Sequence, residues 1–417
     1  MADDPDAARR QEIAGRVVYW IQRRGFTRKL FADRMGKSIS WVDKIKSGDR
    51  QLDRLSVLEQ IAAVLDVRLH VLLDSDEAAR AESCADSVEI EALQEALQRY
   101  DGICGPPEFD QPPDLPVLNR TLNYCWTAFQ ASNYQAVTRL LPDFLVVLQQ
   151  TYRGLPDSPE RETAANYLTQ AYWLAAEIAF KLGRTDLGWL AGDRGIVVAE
   201  WTGDLALVGA TIRRLVHALM ASSGTDSGRR GVSLVMATAA RLDAALATAN
   251  PTLLSAYGAL FLKGSIAAAR IHDASLSREL NTEAGRVAAL LGGDRNEHYS
   301  AFGPTNVLLH RVSALADMHE GGRVVEEASQ ISPGQLATLP RERRATHLLD
   351  VARGYSQWGK RDNAVQLLLQ ADQIAREEVR CRPLTHTLVL DLVRGYPRGS
   401  RPTAPLARIA RELGIQV

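Results

Sequence analysis

The stretch Thr27-Arg-Lys-Leu-Phe-Ala-Asp-Arg-Met-Gly36, followed after Lys37 by Ser38-Ile-Ser-Trp-Val-Asp-Lys-Ile-Lys-Ser-Gly48, decides the fold of the N-terminal end. Thr27 and Ser38 are residues that cap helix starts, and Gly36 and Gly48 stop what each begins. The spacing predicts two short helices over 28–35 and 39–47. The first turns Leu30, Phe31 and Met35 inward. The second turns Val42 and Ile45 inward and presents Ile39, Ser40, Asp43, Lys44 and Ser47 on its opposite side. Upstream, residues 11–24 carry a helical stripe of Ile13, Val17, Trp20 and Ile21, stopped by Gly25. Downstream, 55–65 repeats the pattern with Leu55, Leu58, Ile61, Ala62 and Leu65, and 67–73 closes the unit. Helices this short do not persist alone, so they must share one core.

Charge separates this unit from the rest. Residues 9–54 hold 13 Lys and Arg against 5 Asp and Glu, a net of +8 in a chain whose total is −1. A basic module on a mildly acidic body points to a polyanion partner at one end, or to a solvated charged face. Residues 74–101 then carry nine acids, with an amphipathic helix around 87–100, and 101–116 hold five prolines and two glycines, the composition of a linker. From 118 onward helical pattern alternates with short breaks and no strand alternation is found, so the expected class is all-α.

The best internal unit in that body is 347–377, which fits the tetratricopeptide pattern. Ala352 is the small residue of its first helix, Tyr355 the aromatic, Gly359 the turn, and Ala364, Leu368 and Ala371 the inner stripe of the second helix. Weaker units fall at 121–141, 164–200 (with a turn at Gly183) and 253–291. One helix pair cannot bury its own apolar face, so a solenoid of stacked pairs is expected.

The basic segment resembles the Cro/repressor (Xre-type) helix–turn–helix family across five helices. That resemblance implies that the third helix enters the DNA major groove with its N-terminal residues at base edges. By position, Ile39, Ser40, Asp43 and Lys44 become base-reading candidates. Arg28 becomes a phosphate anchor, Lys37 and Arg50 flanking phosphate clamps, and the caps Thr27 and Ser38 belong to the same DNA-facing set. Lys46 stands where the family usually has glutamate, and Asp43 puts an acid in the reading face, to accept from a cytosine amino group or to repel phosphate.

The stretch Tyr299-Ser-Ala-Phe-Gly-Pro-Thr-Asn306 resembles a signature of large actinobacterial regulators that join an Xre-type domain to a tetratricopeptide-like body, and the segment 341–380 and the last helix fit the same group. In the broader class an asparagine on the concave face grips a ligand; Asn306 or Asn166 is the candidate here, either in that role or as a helix cap. Thr305, Asn306 and His310 lie along one helix start, where free N–H groups favour a carboxylate. Tryptophans 126, 173, 189, 201 and 358 are either core or pocket wall.

The expected organisation is a DNA-binding domain over 9–73, an acidic helix and Pro-rich linker over 74–117, and a tetratricopeptide-like body over 118–417. The expected function is a homodimeric transcriptional regulator of operator DNA, with a small-molecule or peptide effector. The rival is an adaptor whose repeats bind a protein while the head tethers it to DNA. No catalytic motif or metal-ligand spacing stands out, so neither an enzyme nor a cofactor is expected. No apolar run approaches the ~18 residues of a membrane span. The acidic start and four widely spaced cysteines point to the cytoplasm, without a disulfide framework.

Overall fold

The structure is a computed structural model that describes residues 13–18, 20–21, 26–47, 52, 55–65, 69–73, 87–100, 113–221, 226–396, 401–415 and 417. Every regular element among them is helical, so the chain is all-α. It divides into two compact units, Met1–Glu91 with Glu412–Gln416, and Ala92–Arg411 with Val417.

In the first unit residues 13–18 and 20–21 are helical, followed by α1 (Arg28–Met35), α2 (Ile39–Lys46), α3 (Leu55–Leu65) and α4 (Leu69–Leu73). Both expected caps form: Thr27 Oγ1 accepts from the Leu30 N–H at 3.2 Å, and Ser38 Oγ from Trp41 N–H at 3.3 Å. Gly36 ends α1 in the left-handed region, and Lys37 N–H returns to the Ala32 carbonyl at 2.9 Å. Val17, Trp20, Phe31, Met35, Val42, Ile45, Ile61 and Leu65 share one core. Arg16 ties the first helical stretch to α4 through the Leu72 carbonyl at 2.9 Å. Two expected core residues are outside it. Leu30 and Leu55 are exposed. Leu30 sits one position off the buried 31/32/35 face of α1, and Leu55, in the first turn of α3, precedes the Leu58, Ile61, Ala62 and Leu65 face.

The second unit begins inside α5 (Ser87–Gln98). Leu93, Ala96 and Leu97 are buried, Gln149 donates to the Ala96 carbonyl at 3.0 Å and Arg194 to the Arg99 carbonyl at 3.1 Å. The later half of α5, the expected acidic helix, therefore packs in this unit, and the Pro-rich residues 101–112 lie outside the described residues. The chain continues through α6 (Leu115–Gln130), which starts three residues before the expected 118, α7 (Tyr134–Gly154), α8 (Pro159–Lys181), α9 (Thr185–Thr202), α10 (Leu205–Ala221), α11 (Ser227–Asp243), α12 (Pro251–Arg270) and α13 (Ala274–Leu291). Then follow α14 (Pro304–Asp317), α15 (Gly321–Ala328), α16 (Pro333–Ala337), α17 (Arg341–Gln357), α18 (Arg361–Ile374), α19 (Arg376–Cys381), α20 (Pro383–Arg394) and α21 (Ala404–Glu412).

Five pairs share one turn: α6/α7, α8/α9, α12/α13, α14/α15 and α17/α18. Each places a single residue in the left-handed region, at Ser132, Gly183, His272, His319 and Gly359, with φ of 60, 72, 60, 60 and 77°. The next residue donates its N–H five residues back, to Ala128, Ala179, Ala268, Leu315 and Tyr355, at 2.8 to 3.0 Å. This pattern satisfies a carbonyl at the helix end and turns the chain straight into an antiparallel partner. Three of the five positions carry a side chain that disfavours this backbone. Replacing the exposed His272 by glycine is expected to raise stability by roughly 0.5–1 kcal/mol in urea denaturation, since the relief of left-handed strain exceeds glycine's entropy cost.

The first pair also meets distant parts of the same unit. The Tyr134 and Gln135 N–H groups donate to the Glu377 carboxylate at 2.5 and 3.0 Å, and the Tyr134 hydroxyl donates to Glu378 at 2.5 Å. Tyr299 stacks on Trp126 with ring centres 4.5 Å apart and donates to Asn123 at 2.6 Å. The start of the body thus packs on its middle and its end. Trp126 and Trp173 are core, whereas Trp189, Trp201 and Trp358 are exposed. Cys381 is disulfide-bonded, contrary to expectation, because sequence distance does not measure spatial distance in a chain that folds back on itself. One described helix, α12, has the length and composition to cross a membrane, but 83% of its apolar window is buried inside the unit.

Candidate functional site

In the first unit, α2 buries Trp41, Val42 and Ile45 and leaves Ile39, Ser40 and Lys44 exposed, with Asp43 half-buried between them. Arg28, in the first turn of α1, reaches across to Asp43, Nη1 to Oδ1 3.2 Å, with both side chains largely exposed. Such a pair contributes little stability, on the order of 0–1 kcal/mol. Its consequence is electrostatic: it neutralises the one acid on the α2 face and holds a guanidinium beside the helix start. Lys37 and Lys44 are exposed, and Thr27 and Ser38 spend their oxygens on helix caps. Arg50 lies outside the described residues.

The second unit holds a partly open cavity of about 400 Å³, lined from α8, the start of α9, α10, α12, α14, α17, α20 and the turns between them. Its wall is unusually charged: seven Lys and Arg side chains against four carboxylates, a net of +3 when Lys263 is protonated and the histidines are neutral. Each carboxylate is claimed. Glu177 takes Arg213 at 2.9 Å, and Glu342 takes Lys181 at 2.5 Å and Arg343 at 3.3 Å. Asp317 takes Arg353 at 2.8 Å and Arg270 at 3.2 Å, and Asp350 takes Arg353 at 3.3 Å. Behind them, fully buried Glu378 pairs with Lys181 at 2.8 Å and Arg382 at 3.4 Å, lowering the local net charge to +2.

Burial pushes the Glu177 carboxyl up, but the Arg213, Arg214, Lys263 and Arg343 cations override it and hold it at about 2. Glu342 is likewise raised by burial and brought to about 2 by Arg343 and Lys181. Lys263 has no ion-pair or hydrogen-bond partner among the described residues. Burial and repulsion from Arg213, Arg343 and Arg270 lower its ammonium to about 7, against the pull of Glu177.

Two of the expected effector residues stand on this wall. Asn306 is 2% exposed; its Nδ2 donates to the Ser300 carbonyl at 3.4 Å, and its Oδ1 has no partner. A carbonyl beside Nδ2 fixes which end of the amide is which, so the free atom is an acceptor. His310 is held neutral, at about 3, by burial and the nearby Arg343 and Lys263. Its Nδ1 lies 2.9 Å from the Asn306 carbonyl and must donate there, leaving Nε2 as the acceptor. The buried His347 on the same wall has an unpartnered Nδ1.

The other two are elsewhere. Thr305 donates its N–H and hydroxyl to the Asp294 carboxylate at 3.0 and 2.6 Å. The start of α14 does attract a carboxylate, and the protein supplies its own. Asn166 accepts from Gln170 at 2.5 Å along α8 and does not line the cavity. Sequence reasoning missed Lys263 and Arg213, whose only signal is a basic residue inside an otherwise apolar or small-residue helix face, and Arg343, which is hidden in the charged run 341–344. No protein-family model and no curated protein matches the chain.

Proposed function

We propose that the chain is a sequence-specific DNA-binding regulator: an Xre-type head on a tetratricopeptide-like body that dimerises and holds an effector. The observation carrying the DNA reading is the two-sided α2, with Val42 and Ile45 in the core and Ile39, Ser40 and Lys44 outward beside the Arg28–Asp43 pair. A helix anchored on one side and polar and basic on the other suits major-groove readout. The five shared turns support the repeat reading of the body, including the α14/α15 pair, which has no glycine at its turn. Dimerisation follows from the short reach of one such head, since paired heads read two half-sites one DNA turn apart.

In electrophoretic titrations over a salt series, Arg28→Ala and Lys37→Ala are each expected to weaken all DNA sequences alike and reduce the salt slope by roughly one unit. Ser40→Ala and Lys44→Ala are expected to change preference at particular operator positions by ~1–3 kcal/mol. Unchanged affinity and preference in all four variants removes α2 as the reading helix.

A further inference from the structure

The cavity wall leaves three things unspent. Its carboxylates are all paired, yet a positive charge remains. Lys263 faces like charges without a partner, and the Asn306 Oδ1 is buried without a donor. A buried acceptor and an uncompensated cation are both costly unless something absent from the protein satisfies them. Water can solvate either group and screens the mutual repulsion of the cations in part; an anion cancels it. The volume of about 400 Å³ lies within the range of small-ligand sites.

We infer that this cavity binds a compact organic anion, its carboxylate or phosphoryl group facing Lys263, Arg213 and Arg343, with a neighbouring hydroxyl or N–H donating to Asn306 Oδ1. Arg213 and Arg343 are already oriented by Glu177 and Glu342, so they act as fixed donors, while Lys263 supplies the charge that no protein group balances. The paired acids do double service: they keep the unliganded cavity tolerable and reject ligands that lack a full negative charge. Calling this anion the effector rests on the reading of the body as a sensor; its binding does not.

Calorimetric titration of the full chain, without DNA and at matched ionic strength, uses three probes: sulfate, glycerate and glycerol 3-phosphate. One molecule of each is expected to bind per chain, with both hydroxylated anions about tenfold or more tighter than sulfate. The tighter of the two names the head group. Lys263→Met is expected to weaken all three by about tenfold or more. It is also expected to raise the melting temperature in anion-free buffer, because a repelled cation has been removed, so weaker binding there is not unfolding. Asn306→Ala is expected to bring the two hydroxylated anions down to the affinity of sulfate and leave sulfate unchanged. No heat with any probe, or unchanged affinities in Lys263→Met, overturns the inference. Glycerate and glycerol 3-phosphate binding at full strength in a folded Asn306→Ala overturns the placement of the hydroxyl. None of these results bears on DNA binding, and a failure to bind DNA leaves them standing.

Discussion

Glu177→Gln is expected to destabilise the body by ~3–5 kcal/mol in urea denaturation, the cost of stranding buried charge. The carboxylate sits between two guanidiniums, Arg213 at 2.9 Å and Arg214 at 3.5 Å. Arg214 is among the most buried side chains of the protein. Its guanidinium lies 4.5 Å from the centre of the Trp173 ring and donates to the Ala210 carbonyl at 2.7 Å. Glutamine keeps the shape and removes the charge, leaving two neighbouring cations facing each other. A loss under about 1 kcal/mol would place the pair in the weak, solvent-screened class and contradict this account.

The same groups set the response to acid. Glu177 and Glu342 titrate near 2 in the folded protein against 4.5 ordinarily. As pH falls below about 4.5 the unfolded chain takes up protons that the folded one refuses, so stability falls toward pH 2. Buried His310 and His298 are lowered from 6.5 to about 3 and about 4, chiefly by burial, and act in the same direction from pH 6.5 downward. Melting temperature is therefore expected to fall steadily from pH 7 to 3, and Glu177→Gln to flatten the portion below 4.5. A melting temperature that rises on acidification contradicts these assignments.

Phe302→Ala is expected to cost a further ~3–5 kcal/mol, as large-to-small changes in a closed core do. The ring is fully buried and occupies the space over Gly258 in α12, where an added Cβ would come within 2.0 Å of it. It also anchors a strained loop: His298, Tyr299 and Ala301 all have positive φ, of 47, 56 and 49°. Non-glycine residues hold such a backbone only when their surroundings over-determine it. Here the Phe302 burial, the Tyr299–Trp126 stack and the Asn306 bond to Ser300 do so. Loss of the ring should free the loop and loosen Asn306, so anion affinity should fall along with stability. Gly258→Ala should destabilise too, and combining it with Phe302→Leu should recover part of the loss, a coupling that calorimetric melting reads directly.

Caps and glycines made the two short helices α1 and α2 legible, because those signals are local: Thr27, Gly36 and Ser38 each act on a backbone group within a few residues. Leu30 was misplaced because a two-turn helix is too short for periodicity to fix its face, and Leu55 because periodicity assigns a face without saying where the core ends along the helix. In the body, the pair at 347–377 was visible through Gly359 and its alanines. The α14/α15 pair was not expected, although its turn at His319 has the same backbone as the turn at His272 in the expected unit 253–291. Asn306 and His310 were found from the Phe-Gly-Pro turn, yet the expected anion at that helix start turned out to be Asp294, eleven residues upstream. The cavity itself was not legible. Its charges come from helices far apart in the chain, two from α8, two from α12 and four from α17, and a charged residue in a helix looks like surface until the fold brings those helices together.

The proposal that α2 reads DNA bases is open to test by recovery of bound DNA. Purified full-length protein is mixed with a pool of genomic fragments at physiological salt, and the bound fragments are sequenced. The account predicts a small enriched set sharing a motif with two half-sites about 10 base pairs apart centre to centre, and its loss in a Ser40→Ala, Lys44→Ala double variant that melts like the parent. Fragments retained without any shared motif, or a motif unaltered in the double variant, would contradict it.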